Sequence, residues 1–167
     1  MAFCCSLERP TSPLSAATVS ISPAVGDDYA SLVTAACCLL GETDCRFRIH
    51  GFGCSEWPVD VAYDLSVFME QLPELLEGVR LRRRTEIDLY SQGIERTLEF
   101  VPRGELVEIH CLSRTDWMPN PSVEVPGGSA LEAMLTGLAA DFVASLTVIG
   151  SHMAGMKPFS SWASRAS

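Results

Sequence analysis

The chain has 167 residues, 47% of them hydrophobic and 20% charged, with a formal net charge of −9. That length and composition fit one folded domain with its own apolar core and exclude a largely disordered chain. The acidity disfavours direct binding to nucleic acid, because affinity for a phosphate backbone comes from cationic side chains that release counterions.

Residues 1–13, MAFCCSLERPTSP, lack the cationic start and the apolar run of a secretory signal, and they read as an N-terminal arm. Alternation of Ala17, Val19 and Ile21 with Thr18, Ser20 and Ser22 predicts a first strand that Pro23 and Gly26 end. A helix follows, capped by Asp27 or Asp28, with Tyr29, Leu32, Val33, Ala36, Leu39 and Leu40 on one face and Gly41 at its end. From Cys45 to Phe52 the pattern alternates again and predicts a second strand, with Phe47 and Ile49 opposite Arg46, Arg48 and His50.

From Asp64 the period turns helical through Leu65, Phe68, Met69, Leu72, Leu75, Leu76 and Val79, with Pro73 expected to kink or restart the helix. Asp64 reads as its N-cap, Asp60 as a charge near its start, and Arg80, Arg82, Arg83 and Arg84 as cations offsetting its negative end. Residues 85–113 read as a three-strand antiparallel meander with turns at Gln92-Gly93 and Pro102-Arg103-Gly104. Its inward residues are Ile87, Leu89, Leu98, Phe100, Val107, Ile109 and Cys111.

The stretch 116–128, with three prolines and two glycines, should carry no regular structure. Ser129 and Glu132 then form a capping box for a long helix whose core face is Leu131, Met134, Leu135, Leu138, Phe142, Leu146 and Ile149. The GSHM at 150–153 reads as native sequence, and 157–167 as a tail partly tied down by Phe159 and Trp162. Together these elements predict an α+β fold: one domain over 14–156, an antiparallel sheet of about five strands, and about three helices packed on one face. No apolar stretch of bilayer-spanning length stands out, and the expected location is cytoplasmic.

Seven cysteines are an odd number, two pairs of them are adjacent, and the chain is long enough to fold without staples, so reduced and mostly buried thiols are expected. There is no Cys-x-x-Cys, no His-Glu-x-x-His, no acidic calcium loop and no third glycine to make Gly51-Phe52-Gly53 a dinucleotide loop. Neither a metal nor a cofactor is expected. A nucleophilic Cys54 would need a base in reach, and although His50 and His110 are candidates, no acid is placed to orient them.

Period-two geometry puts Glu86, Asp88, Tyr90, Glu95, Thr97, Glu99, Glu108 and His110 on the outward face of the meander, which predicts a strongly acidic surface. Such a face is either simply solvated or a docking surface for a basic protein. Glu56-Trp57-Pro58 and Asp116-Trp117-Met118-Pro119 place indoles in polar loops, either as plugs closing the core or as interface anchors.

Trp57-Pro58-Val59-Asp60 with Asp64-Leu65, then Glu86-Ile87-Asp88-Leu89-Tyr90, Gly93-Ile94-Glu95-Arg96 and the Trp117-x-Pro119-x-Pro121 loop, resemble small bacterial immunity proteins encoded beside polymorphic or contact-dependent toxins. The resemblance covers residues 45–150 and leaves the first 44 outside it. It implies a protein that works by binding and toxin neutralisation, with no catalytic residue to carry over. On this reading Glu56, Trp57, Asp88, Tyr90, Glu95, Glu99, Glu108, His110, Asp116 and Trp117 contact a cognate toxin with a basic cleft, and a homodimer is compatible with it. Two alternatives stay open: a small hydrolase using Cys54, His50 and Asp60, and a ligand-binding regulatory domain with a pocket between sheet and helices.

Overall fold

Cys5 and Leu7 turn inward while Ser6 and Glu8 stay in solvent, and this alternation makes the first residues a strand, β1 (Cys4–Glu8). The computed structural model describes residues 2–15 and 28–163, so the strand expected at Ala17, Val19 and Ile21 lies outside the described residues. In place of a free N-terminal arm, β1 pairs antiparallel with β2 (Arg46–His50), setting Cys5 opposite Ile49 and Leu7 opposite Phe47. Between them runs α1 (Tyr29–Gly41), whose N-cap Asp28 accepts from the Ser31 amide at 2.9 Å.

α2 (Ser66–Arg80) enters through a π-helical turn, Val61–Leu65, which moves the cap forward from the expected position. Asp60, not Asp64, is the cap: its carboxylate accepts from the amides of Tyr63 at 2.7 Å and Asp64 at 3.1 Å, while Asp64 accepts from the Asp60 amide at 2.8 Å. α2 continues through Pro73. Proline has no N–H for the carbonyl four residues earlier, and that carbonyl, of Met69, accepts instead from the Tyr29 hydroxyl of α1 at 2.6 Å.

The predicted meander is present as β3 (Thr85–Leu89), β4 (Arg96–Arg103) and β5 (Leu106–Ser113), with all seven expected inward residues buried. Its first connection runs from Tyr90 to Glu95 and is longer than a Gln92-Gly93 hairpin turn; the second is tight, with Arg103 opposite Leu106 and Gly104 at φ +62°. The stretch expected to be irregular contributes a fourth strand, β6 (Val123–Glu124), opposite His110 and Ile109 of β5. The fold is therefore α+β with two antiparallel sheets, β1-β2 and β3-β4-β5-β6, in place of one sheet of five strands. Gly51, Phe52 and Gly53, all at positive φ, turn the chain away after β2.

α3 (Gly128–Val148) starts without the expected capping box: Gly127 is its N-cap, no side chain caps it, and Glu132 turns to Arg80 at 2.7 Å. The Gly128 amide is satisfied by the Glu105 carbonyl at 2.8 Å. Contrary to the sequence reading, α3 is long and apolar enough to cross a membrane by length and composition, but Leu131, Leu135, Leu138, Phe142 and Leu146 are buried in the core. The chain then makes a 3-10 turn, His152–Gly155, with Met153 fully buried, and a last helix α4 (Phe159–Ala163) where a tail was expected. Phe159 packs on Phe142 with ring centroids 5.2 Å apart.

Candidate functional site

The bend after β2 is built on close backbone approach. Gly51 and Cys54 exchange two backbone hydrogen bonds of 3.0 Å, and the Trp57 amide returns to the Ile49 carbonyl at 2.8 Å. A Cβ on Gly53 would stand 2.1 Å from the Asn120 carbonyl oxygen, so only glycine lets the 120 loop lie against the bend. The Asn120 amide donates to the Phe52 carbonyl at 2.9 Å and fastens the two segments together.

Beneath them lies Arg96. Strand parity places it with Leu98 and Phe100 on the core face of β4, and only 3% of it is exposed. Its guanidinium carbon lies 4.1 Å from the ring centre of Trp57 and 3.7 Å from that of Trp117, and the two indoles are 6.0 Å apart. Planar, weakly hydrated guanidinium stacks well on indole faces. Nε and Nη1 have no hydrogen-bond partner among the described residues, and desolvation pulls the guanidinium below its ordinary pKa, opposed by the nearby Cys111 and Cys54 thiols.

A second buried ion holds the other side of the bend. Glu124 of β6 accepts from the backbone amides of Phe3 and Phe52, the latter at 2.6 Å, and so ties the start of β1 and the bend to the four-stranded sheet. Cys111, across from Leu98, feels both ions; burial pushes its thiol up to about 11, with Arg96 pulling down and Glu124 adding to the rise.

Of the residues expected to contact a partner, Trp57 is 1% exposed and plugs the core, while Trp117 is half-buried against it. Glu56 is exposed and paired with Arg48 at 2.7 Å; Asp116 is exposed. Tyr90 is 59% exposed and Glu95, at φ +43°, is half-buried. Asp88, Glu99, Glu108 and His110 do share the outward face, in the rows Asp88-Thr97-Leu112 and Glu86-Glu99-His110, with Glu108 opposite Val101.

That face is not the purely acidic surface expected. Arg114 reaches Asp88 at 2.5 Å, Arg84 pairs with Glu99, and Arg103 reaches Glu108 at 3.2 Å. Hydrogen bonds from His110 and Arg103 hold the Glu108 carboxyl below the usual carboxylate range. Glu86 and Glu95 make no ion pair among the described residues. The basic run after α2 is likewise consumed in pairs: Arg80 with Glu132, Arg82 with Glu105 and Arg83 with Glu77.

The proposed hydrolase residues Cys54, His50 and Asp60 make no hydrogen bond to one another among the described residues. The Cys54 thiol donates to the Glu56 carbonyl at 3.2 Å, Asp60 is occupied by helix amides, and His50 sits on β2 opposite Cys4 with its Nδ1 buried and unpartnered. All seven cysteines are free thiols, four of them buried. The sequence reading passed over Arg96 and Glu124; the parity shared with Leu98 and Phe100 could have marked Arg96 as inward, whereas nothing local marks Glu124.

No protein-family model, no curated protein and no solved structure matches this chain.

Proposed function

We propose that this protein is an immunity-type binding protein of the cytoplasm, which neutralises a cognate protein toxin by covering its active site or substrate groove. The observation that carries this reading is the clasp of Trp57, Arg96 and Trp117, which locks the bend and the Asp116–Pro121 loop into one rigid edge. Beside it lies the outward sheet face, where Leu112 is 59% exposed, and the 116–121 loop itself presents Met118, 74% exposed. Rigid loops flanking an open face lose little conformational freedom on binding, which favours tight association.

The mechanism is steric occlusion with electrostatic complementarity and no turnover. The net charge of −9 steers a basic-clefted partner toward the protein, and Glu86, Glu95 and Asp116, which make no ion pair among the described residues, can meet its cations. The arginines already on the face set register, because a misplaced basic group would meet Arg84, Arg103 or Arg114 in place of a carboxylate.

The test takes the product of a neighbouring toxin-bearing reading frame and measures its affinity for this protein. Changing Glu95, Glu99 and Glu108 together to lysine is expected to weaken binding by roughly 100-fold or more, with an unaltered circular dichroism spectrum. Unchanged affinity overturns the proposed face, and a neighbour that neither kills nor binds overturns the function.

A further inference from the structure

On the side of the molecule where α1, the entry to α2 and the β3–β4 connection meet, there is an open cleft of about 640 Å³. Three carboxylates line it, Asp60, Asp64 and Glu70, and among the described residues no basic side chain does. This separates it from the sheet face, where arginines neutralise most of the acids. Two aromatic side chains also line it in unusually open positions, Tyr63 at 73% and Tyr90 at 59% exposure.

Asp64 supplies an independent sign. Its side chain is buried, with the residue 7% exposed, and one carboxylate oxygen accepts from the Asp60 amide at 2.8 Å. The other, Oδ1, is buried and has no hydrogen-bond partner among the described residues. A buried carboxylate oxygen without a donor costs free energy, and this one belongs to a residue that lines a cleft with no basic side chain among the described residues. The helix cap explains Oδ2 only.

We propose that this cleft binds an organic cation, an alkylguanidinium or alkylammonium group, seated against Tyr63 and Tyr90 above Asp64. Aromatic faces attract such cations, and the uncompensated carboxylates add a field that a neutral ligand would not use. Among the described residues no group of three or more His, Cys, Asp or Glu side chains is arranged to hold a metal ion, which directs the site to an organic cation. The site goes beyond the toxin-binding proposal and needs no toxin for its test.

Methylguanidinium is titrated into ¹⁵N-labelled protein, in parallel with a blocked Gly-Arg-Gly peptide. The expected result is saturable amide shifts confined to residues 34–38, 60–70 and 90–92. Tyr63→Ala with Tyr90→Ala, both exposed positions, weakens binding roughly tenfold. Glu74→Gln, an exposed acid outside the cleft, leaves it unchanged. Asp64→Asn, checked for folding by circular dichroism, weakens it by a similar factor. A peptide at least tenfold tighter than methylguanidinium assigns the cation to a protein side chain, whereas equal affinities assign a small molecule. Non-saturating shifts spread over the acidic surface, or tyrosine variants that bind as the wild type does, overturn the proposal.

Discussion

Replacing Glu124 by glutamine tests how the bend is held to the sheet. The carboxylate is 8% exposed and accepts from two backbone amides, those of Phe3 and Phe52. Glutamine has one side-chain oxygen, so it can serve one amide while presenting N–H groups to the other. Losing a charge-assisted bond costs about 1.5–3 kcal/mol, and a buried N–H left without a partner costs about 1–3 kcal/mol more. Relief of the buried charge offsets part of this, leaving a net loss of about 2–4 kcal/mol. A chain of this size loses about 2–4 °C of Tm per kcal/mol, so thermal unfolding should fall by roughly 5–15 °C. Glu124→Ala, which orphans both amides, should fall further. Scanning calorimetry or circular dichroism melting reads both. If Glu124→Gln melts within about 1 °C of wild type, the carboxylate is not what joins the two sheets.

At Arg96, lysine should be worse than methionine by about 1–2 kcal/mol in urea unfolding followed by tryptophan fluorescence, because lysine keeps the buried charge but loses the planar stacking on both indoles. A lysine variant more stable than the methionine variant would show that charge, not stacking, closes the clasp. In the native protein at pH 8, iodoacetamide should label the exposed Cys38 while Cys5, Cys37, Cys45 and Cys111 resist, since burial raises all four thiols and holds Cys45 and Cys111 near 11. At pH 8 a thiol of that pKa is roughly one part in a thousand thiolate, and peptide mapping that finds Cys111 modified as fast as Cys38 would contradict its burial.

What could be read in the sequence followed from periodicity. Ile87 and Leu89, Leu98 and Phe100, and Val107, Ile109 and Cys111 keep parity within their strands, and the stripe from Leu65 to Val79 holds helical spacing, so the meander and α2 were legible. β1 was missed because CCSLE is short and its alternation rests on one thiol and one leucine; it becomes a strand only when β2 and α3 bury those residues. β6 was missed because a two-residue strand among prolines has no periodicity and exists through its pairing with β5. The caps slipped for physical reasons too: a π-turn moved the α2 cap from Asp64 to Asp60, and a salt bridge with Arg80 took Glu132 from its capping role.

The candidate site was half legible for a different reason. Its loops, EWP and DWMP, carry an unusual composition and were marked by it, but what organises them is a pair of buried ions of opposite sign that make no ion pair with each other. Arg96 lies under two indoles and Glu124 under two amides, both on the core face, with Cys111 feeling both charges. Two such ions are a poor way to gain stability, since well-packed apolar residues usually do as well or better. They are an effective way to fix geometry, because a stacked guanidinium and a doubly bonded carboxylate tolerate few alternative placements of Trp57, Trp117 and Phe52. The exposed residues of those two loops are Glu56, Asp116 and Met118, and the proposal sets the partner against them.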